Sequence, residues 1–159
     1  MDFVDSFTNL KQTPPAPLVA HFYDLLNRFL DGQGDEFLDL WHESDESTLY
    51  FNLDERERTA DKIRLTFKQI RAVLSRVPVG TTLSAVQVSY HECADMAYAV
   101  LMEEARSDKN REQIVSEQRV TLVWRRVGNE FKVVHMHTDY YNRRTELLSE
   151  LLRAYHPNP

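Results

Sequence analysis

Cysteine is nearly absent: Cys93 stands alone, so no disulfide can form within the chain. One thiol, and acids in the opening MDFVDSFTNL where a secretory leader needs bases, point to a reducing, cytoplasmic setting. The signatures that surround a nucleophilic cysteine are missing too, so Cys93 reads as a buried structural thiol. No apolar run approaches the roughly 20 residues that a membrane helix requires, so no membrane is expected as a partner. Positive charge is also short, with 19 bases against 25 acids and a net charge of −6. Such a chain has no general attraction for phosphate backbones, which argues against nucleic acid. Glycine occurs only four times, at 32, 34, 80 and 128. All four fall where the pattern predicts turns, and this agreement supports the segmentation below.

What is present is a core: 42% of 159 residues are hydrophobic, enough for one domain. Prolines 14, 15 and 17 end a segment, 1–17, that reads as a loosely docked tail. The domain proper spans 18–159. From Leu18 the spacing is helical, with Leu18, Phe22, Leu25 and Phe29 in one stripe and Val19, Tyr23, Leu26 and Leu30 beside it. Asp31-Gly32 closes this helix, and Asp35 caps a short second one over EFLDLWHE. STLYFNL (47–53) is β-rich, and DERER is a charged connection. Thr59 caps a helix running to about Val77, whose stripe is Ile63, Phe67, Ile70, Leu74 and Val77.

The remainder reads as strands. Thr81–His91 alternates, with Leu83 and Ala85 on one side and Val86, Val88 and Tyr90 on the other. Ala94–Ala105 follows, and RSDKNRE is a charged loop. Residues 114–140 form two long strands around Gly128-Asn129. NRRTELLSELLRAY predicts a C-terminal helix over 142–155 with Asn142 as its cap. Helices followed by a run of strands predict an α+β fold with an antiparallel sheet. Apolar residues occupy both faces of these strands, Val120, Leu122 and Trp124 on one and Val123, Val134 and Met136 on the other. Helices cover one face, so a homodimer through the other is the simplest solution.

QRVTLVWRR (118–126) and FKVVHMHTD (131–139) carry a resemblance. With this order of elements they resemble the nuclear transport factor 2-like superfamily, a cone-shaped α+β fold. Within it the SnoaL-like group and the association domain of calcium/calmodulin-dependent kinase are most similar. Phe131 stands where tryptophan is usual, and Asp139 where serine is usual. The resemblance covers roughly 18–141, and the C-terminal helix is a departure from it. It implies a pocket between helices and sheet, and no cofactor or metal. It selects no activity, because the superfamily holds isomerases, cyclases, dehydratases, adaptors and oligomerisation domains.

The candidate site residues are Tyr50, Asn52, Tyr98, Arg119, His135 and His137, with the two histidines as the candidates for catalysis. His135 and His137 lie two apart in a strand and share a face. A metal there would need Asp139 with His91 or Glu92 from a neighbouring strand, and nothing in the pattern fixes such a set. Arg119 sits among apolar neighbours. A buried guanidinium needs a carboxylate, and Glu117 is the nearest, or a bound carboxylate ligand. Tyr50, Asn52 and Tyr98 offer polar tips to a pocket. In steroid isomerases of this superfamily a carboxylate is the base. Asp39 or Asp54 would be nearest in sequence, but neither stands in a matching motif. A plain two-residue loop pairs Leu122 with His135 and sends Arg119 to the opposite face; one bulged residue reverses this.

Three functions use these features. The first is a small-molecule-binding protein, with an apolar ligand that carries a carboxylate. The second is an isomerase or lyase with a strand histidine as acid or base. The third is a dimerisation or adaptor module whose interior is plugged by Trp41, Phe67 and their neighbours.

Overall fold

A computed structural model describes residues 14–44, 46–51, 55–76 and 80–142. The C-terminal helix expected over 142–155, most of the expected tail, Asn52 and Asp54 lie outside the described residues.

Helix α1 spans Pro17–Leu30 and a 3-10 helix spans Glu36–Leu40. Strands β1 (Thr48–Phe51) and β2 (Glu55–Arg58) precede helix α2 (Ala60–Leu74). Four long strands follow: β3 (Thr81–Glu92), β4 (Met96–Ser107), β5 (Ile114–Val127) and β6 (Glu130–Asn142). They form one six-stranded sheet in the order β2-β1-β6-β5-β4-β3. The two helices pack on one face of it, giving the α+β cone expected from the sequence.

Several local expectations change. Pro17 begins α1 instead of ending a tail, because proline at the first helical position gives up an amide that has no partner there. The DERER segment contains β2, which pairs antiparallel with β1. The sheet is mixed, since β1 runs parallel to β6. Thr59 makes no side-chain cap, and its φ of 73° places a β-branched residue in the left-handed region. Asp35 does not cap the 3-10 helix either; its carboxylate takes the Arg71 guanidinium at 2.7 Å.

Two bulges decide which residues face the helices. Val88 is the extra residue between the pairs Gln87–Leu101 and Ser89–Val100. It carries Tyr90 onto the side of Leu83 and Ala85, so Tyr90 packs against the core. Val134 is the extra residue between the pairs Val123–His135 and Trp124–Val133. Leu122 therefore pairs with Met136, not with His135, and Met136 is buried with Val120, Leu122 and Trp124. The bulged register holds, and Met136 belongs to the helix-covered face instead of the outer one.

The core fills from both sides. Phe22, Phe29 and Phe37 meet from α1 and the 3-10 helix, with the Phe22–Phe37 rings 5.3 Å apart. Phe37 meets Phe67 of α2 edge-on at 4.9 Å, and Trp41 lies 5.7 Å from Phe67. These rings fill the interior at the end where Trp41 bridges to Val133 and Val133 pairs with Trp124.

Candidate functional site

The rungs of the sheet sort the helix-covered face by polarity. Ala97–Trp124–Val133 and Ala99–Leu122–Met136 are wholly apolar rungs. The next rung, Leu101–Val120–Thr138, ends in a hydroxyl. The one after pairs Glu103 with Gln118. Polar groups thus collect at the end away from the aromatic plug.

Glu103 is the centre of this group and is 2% exposed. Strand alternation forces it inward, because it shares a face with Ala97, Ala99 and Leu101. Tyr23 reaches it from α1, its hydroxyl donating to Oε2 at 2.8 Å. The Gln118 amide donates to Oε1 from the adjacent strand. Burial pushes the Glu103 carboxyl above its ordinary value, and the two hydrogen bonds pull the other way. Burial also holds the Tyr23 hydroxyl well above its ordinary value, with the neighbouring carboxyl adding to the shift. Both groups therefore favour their neutral forms.

Asn27 fixes this corner. Its amide donates to the carbonyls of Tyr23 and Leu83 at 2.9 and 2.8 Å, and its carbonyl accepts the Leu83 amide at 2.8 Å. That clamp locks α1 to β3 one turn from Tyr23. Thr138 presents a buried hydroxyl with no hydrogen-bond partner. It is the diagonal neighbour of Gln118 on the ladder, roughly 7 Å away. At the plugged end the Trp41 indole nitrogen is likewise buried without a partner.

The residues singled out from the sequence gather elsewhere. Tyr50, His135 and His137 come together, but on the outer face of the sheet, opposite the helices. The Tyr50 ring stands edge-on to His135 at 5.7 Å and to His137 at 6.0 Å. Thr48 Oγ1 lies 2.7 Å from His135 Nδ1. Burial, then the neighbouring His137, lower the His135 pKa. Arg119 joins this face through its pair with Asp139, Nε to Oδ1 at 2.9 Å. Its side chain is 59% exposed, so the buried guanidinium paired with Glu117 is corrected to an exposed one held across the strands by Asp139. Tyr98 lies on the same face two strands from β6, stacked obliquely on His91 at 5.9 Å. The strand order places His91 three strands from the histidine pair, roughly 14 Å away, too far to share a metal with it.

The polar side chains that meet between helices and sheet are Glu103, Tyr23, Gln118 and Thr138, none of which stood among the candidates. Parity in AYAVLMEEA would have found Glu103: it lies two residues after Leu101 and four after Ala99.

The family model for the SnoaL-like domain matches residues 19–140. No curated protein matches the chain. Among solved structures, a candidate calcium/calmodulin-dependent protein kinase type II association domain from Thiobacillus denitrificans is similar, with a TM-score of 0.63 and 16% identity. The similarity covers 82% of this chain and all of that one. A nuclear transport factor 2-like protein of unknown function from Pseudomonas putida gives 0.61 at 12% identity, covering 86% of this chain and 87% of that one. A protein of unknown function with a cystatin-like fold from Nostoc punctiforme gives 0.64 at 11% identity, covering 85% and 99%. At these identities the likeness shows the fold.

Proposed function

The chain belongs to the SnoaL-like domain family, and from that premise we propose that it binds a small molecule between the helices and the sheet, at the end marked by Glu103. The observation that carries this reading is the Glu103 carboxyl, buried in an otherwise apolar layer and held by Tyr23 and Gln118. A carboxyl kept out of water costs folding free energy, and a well-packed apolar residue in its place would avoid that cost. Its retention is accounted for by a role in binding. The unpartnered Thr138 hydroxyl on the adjoining rung adds a second polar group for the same occupant.

Native mass spectrometry of the purified protein tests this. The expected result is a small organic adduct, lost on denaturation and absent when Glu103 is replaced by leucine in a folded variant. A bare protein that also takes up nothing from a chemically diverse small-molecule set refutes the reading.

A second reading concerns the outer face and is independent of the first. Val88, Met96, Tyr98 and Val100 form an exposed apolar patch across β3 and β4, with Tyr50 exposed further along the sheet. Contiguous apolar surface of this kind is normally covered. We propose that a second copy of the chain covers it, giving a homodimer through the sheet. Tyr50, Tyr98, Arg119, His135 and His137 then belong to that interface instead of the ligand site. The isomerase reading with a strand histidine as base loses support, since the histidines face away from the helices.

A further inference from the structure

We infer that His135 and His137 make the association of two copies of this chain pH-sensitive, so that acid separates them. This rests on the homodimer reading above and names its regulation. The strand order β1-β6-β5-β4 puts the histidine pair between the exposed Tyr50 on β1 and the exposed Tyr98 and Val100 on β4. A partner surface that covers both apolar groups therefore covers the histidines too. His135 shares a rung with Val123 and Tyr98, and His137 shares the next with Thr121 and Val100. Strand spacing sets each ring roughly 10 Å from the exposed apolar side chain on its own rung. Tyr50 stands edge-on to both rings, at 5.7 and 6.0 Å, and ties them to the same surface.

The charges around the pair are already matched. On β5 the charged groups diagonal to the histidines are Arg119 and Arg125. On β6 they are Asp139 and Lys132, and β1 contributes Tyr50. On β2, Arg56 and Arg58 stand in register opposite Tyr50 and Thr48. Asp139 accepts from Arg119 at 2.9 Å, Glu46 lies 3.3 Å from Arg125, and Glu130 lies 3.2 Å from Lys132. A proton taken up by either ring thus adds positive charge to a surface whose nearby carboxylates are already paired with cations. His137 is exposed in the separated chain, where water solvates that charge. Between two sheets the charge is desolvated, and by two-fold symmetry the partner brings the same charge to the same interface. Protonation therefore favours the separated chains, and mass action dissociates the dimer as pH falls through the ordinary histidine range.

The test is sedimentation equilibrium of the full chain at about pH 7.5 and about pH 5.5, which bracket an ordinary histidine. If circular dichroism changes at the lower value, the comparison uses the lowest pH at which the spectrum still matches. The dissociation constant should rise at least about tenfold on acidification. His137→Asn, which leaves the Thr48–His135 contact in place, should recover about half of that change on a logarithmic scale, and His135→Asn with His137→Asn most of it. Histidine C2 proton resonances give a readout that needs no variant: two rings should titrate at lower pH in the associated chain than in dilute chain. A dimer whose affinity ignores pH, or tightens in acid, overturns the inference and leaves the homodimer standing. An acid response that the double variant keeps in full, or rings that titrate alike at both concentrations, overturns it as well. A monomer at about pH 7.5 removes the homodimer reading and the inference together.

Discussion

The Tyr23 hydroxyl donates to Glu103 Oε2 at 2.8 Å, joining α1 to β4 across 80 residues of chain. Both side chains are buried, so neither finds water if the other leaves. Tyr23→Phe removes one donor and leaves the Glu103 oxygen unsatisfied, which should cost about 1–3 kcal/mol of stability. Urea unfolding checks this. The same substitution in a Glu103→Leu background should cost markedly less, because the acceptor is already gone. Equal losses in both backgrounds would mean that the bond contributes nothing to holding the layers together.

Glu103 also ties stability to pH. Its carboxyl titrates above the ordinary 4.5 when folded, chiefly because it is buried. A raised folded value means that the unionised group's contribution is complete below 4.5 and is lost as pH rises through the folded value. Glu103→Gln removes this loss. The variant's melting temperature, compared with that of the parent, should therefore rise from pH 4.5 upward and level off above the folded value. A difference that stays flat with pH would show that the carboxyl is not penalised by its surroundings.

His135 works in the opposite sense. Its folded pKa is lowered, first by burial and then by His137. Its contribution is present above the ordinary 6.5 and is lost as pH falls from there through the folded value. Acidification should destabilise the parent more than His135→Asn, which carries no titrating ring. Thermal melts at pH 7.5 and 5.5 read this directly (bulk pH values chosen to bracket the ordinary histidine range). Identical pH responses would show that the ring is as easily protonated in the folded protein as outside it.

Most of the fold was legible because it is written in periodicity. The stripe Ile63, Phe67, Ile70 is buried as its spacing demands, and Gly128 turns the last hairpin at φ 61°. The candidate site was less legible, and the reason is two residues. Val88 and Val134 are bulges, each flipping every side chain beyond it to the other face. Each is an ordinary strand-forming valine, so no local signal marks it as a bulge. The histidine pair drew notice as polar residues in an apolar strand, yet an open sheet face tolerates such residues without any pocket. Glu103 reads in the sequence as one of a pair of acids ending a strand. Its neighbour Glu104 is indeed on the outer face with Arg106, and only the parity of the strand separates the two.

Thr59 is a second case of sequence chemistry overruled by geometry. Its φ of 73° and ψ of 143° belong to a region that only glycine enters freely. Such backbone strain costs roughly 1–3 kcal/mol, while the extra freedom of glycine in the unfolded chain costs about 0.5–1. The Thr59 amide bonds the Ser47 carbonyl at 3.1 Å, and glycine keeps that bond. Thr59→Gly should therefore raise stability by about 1 kcal/mol in denaturant unfolding. A destabilised variant would mean that the threonine side chain makes up for its own strain.

The outer face yields the sharpest test of assembly. Val100 is 37% exposed and Tyr98 is 42% exposed, while the residues between and beside them, Ala97, Ala99 and Leu101, are fully buried. An outward charge at Val100 therefore disturbs no internal packing, and surface changes of this kind usually alter folding by less than about 0.5 kcal/mol. In a sheet-to-sheet dimer the same charge is desolvated against an apolar partner surface, and by two-fold symmetry a copy of it approaches from the other side. Val100→Asp should thus leave the melting temperature of the isolated chain near that of the parent while weakening self-association at least about tenfold. Sedimentation equilibrium over a range of concentrations separates the two effects. A Val100→Asp protein that associates as tightly as the parent would place the interface elsewhere, and Tyr98 and Val100 would then be exposed for some other purpose.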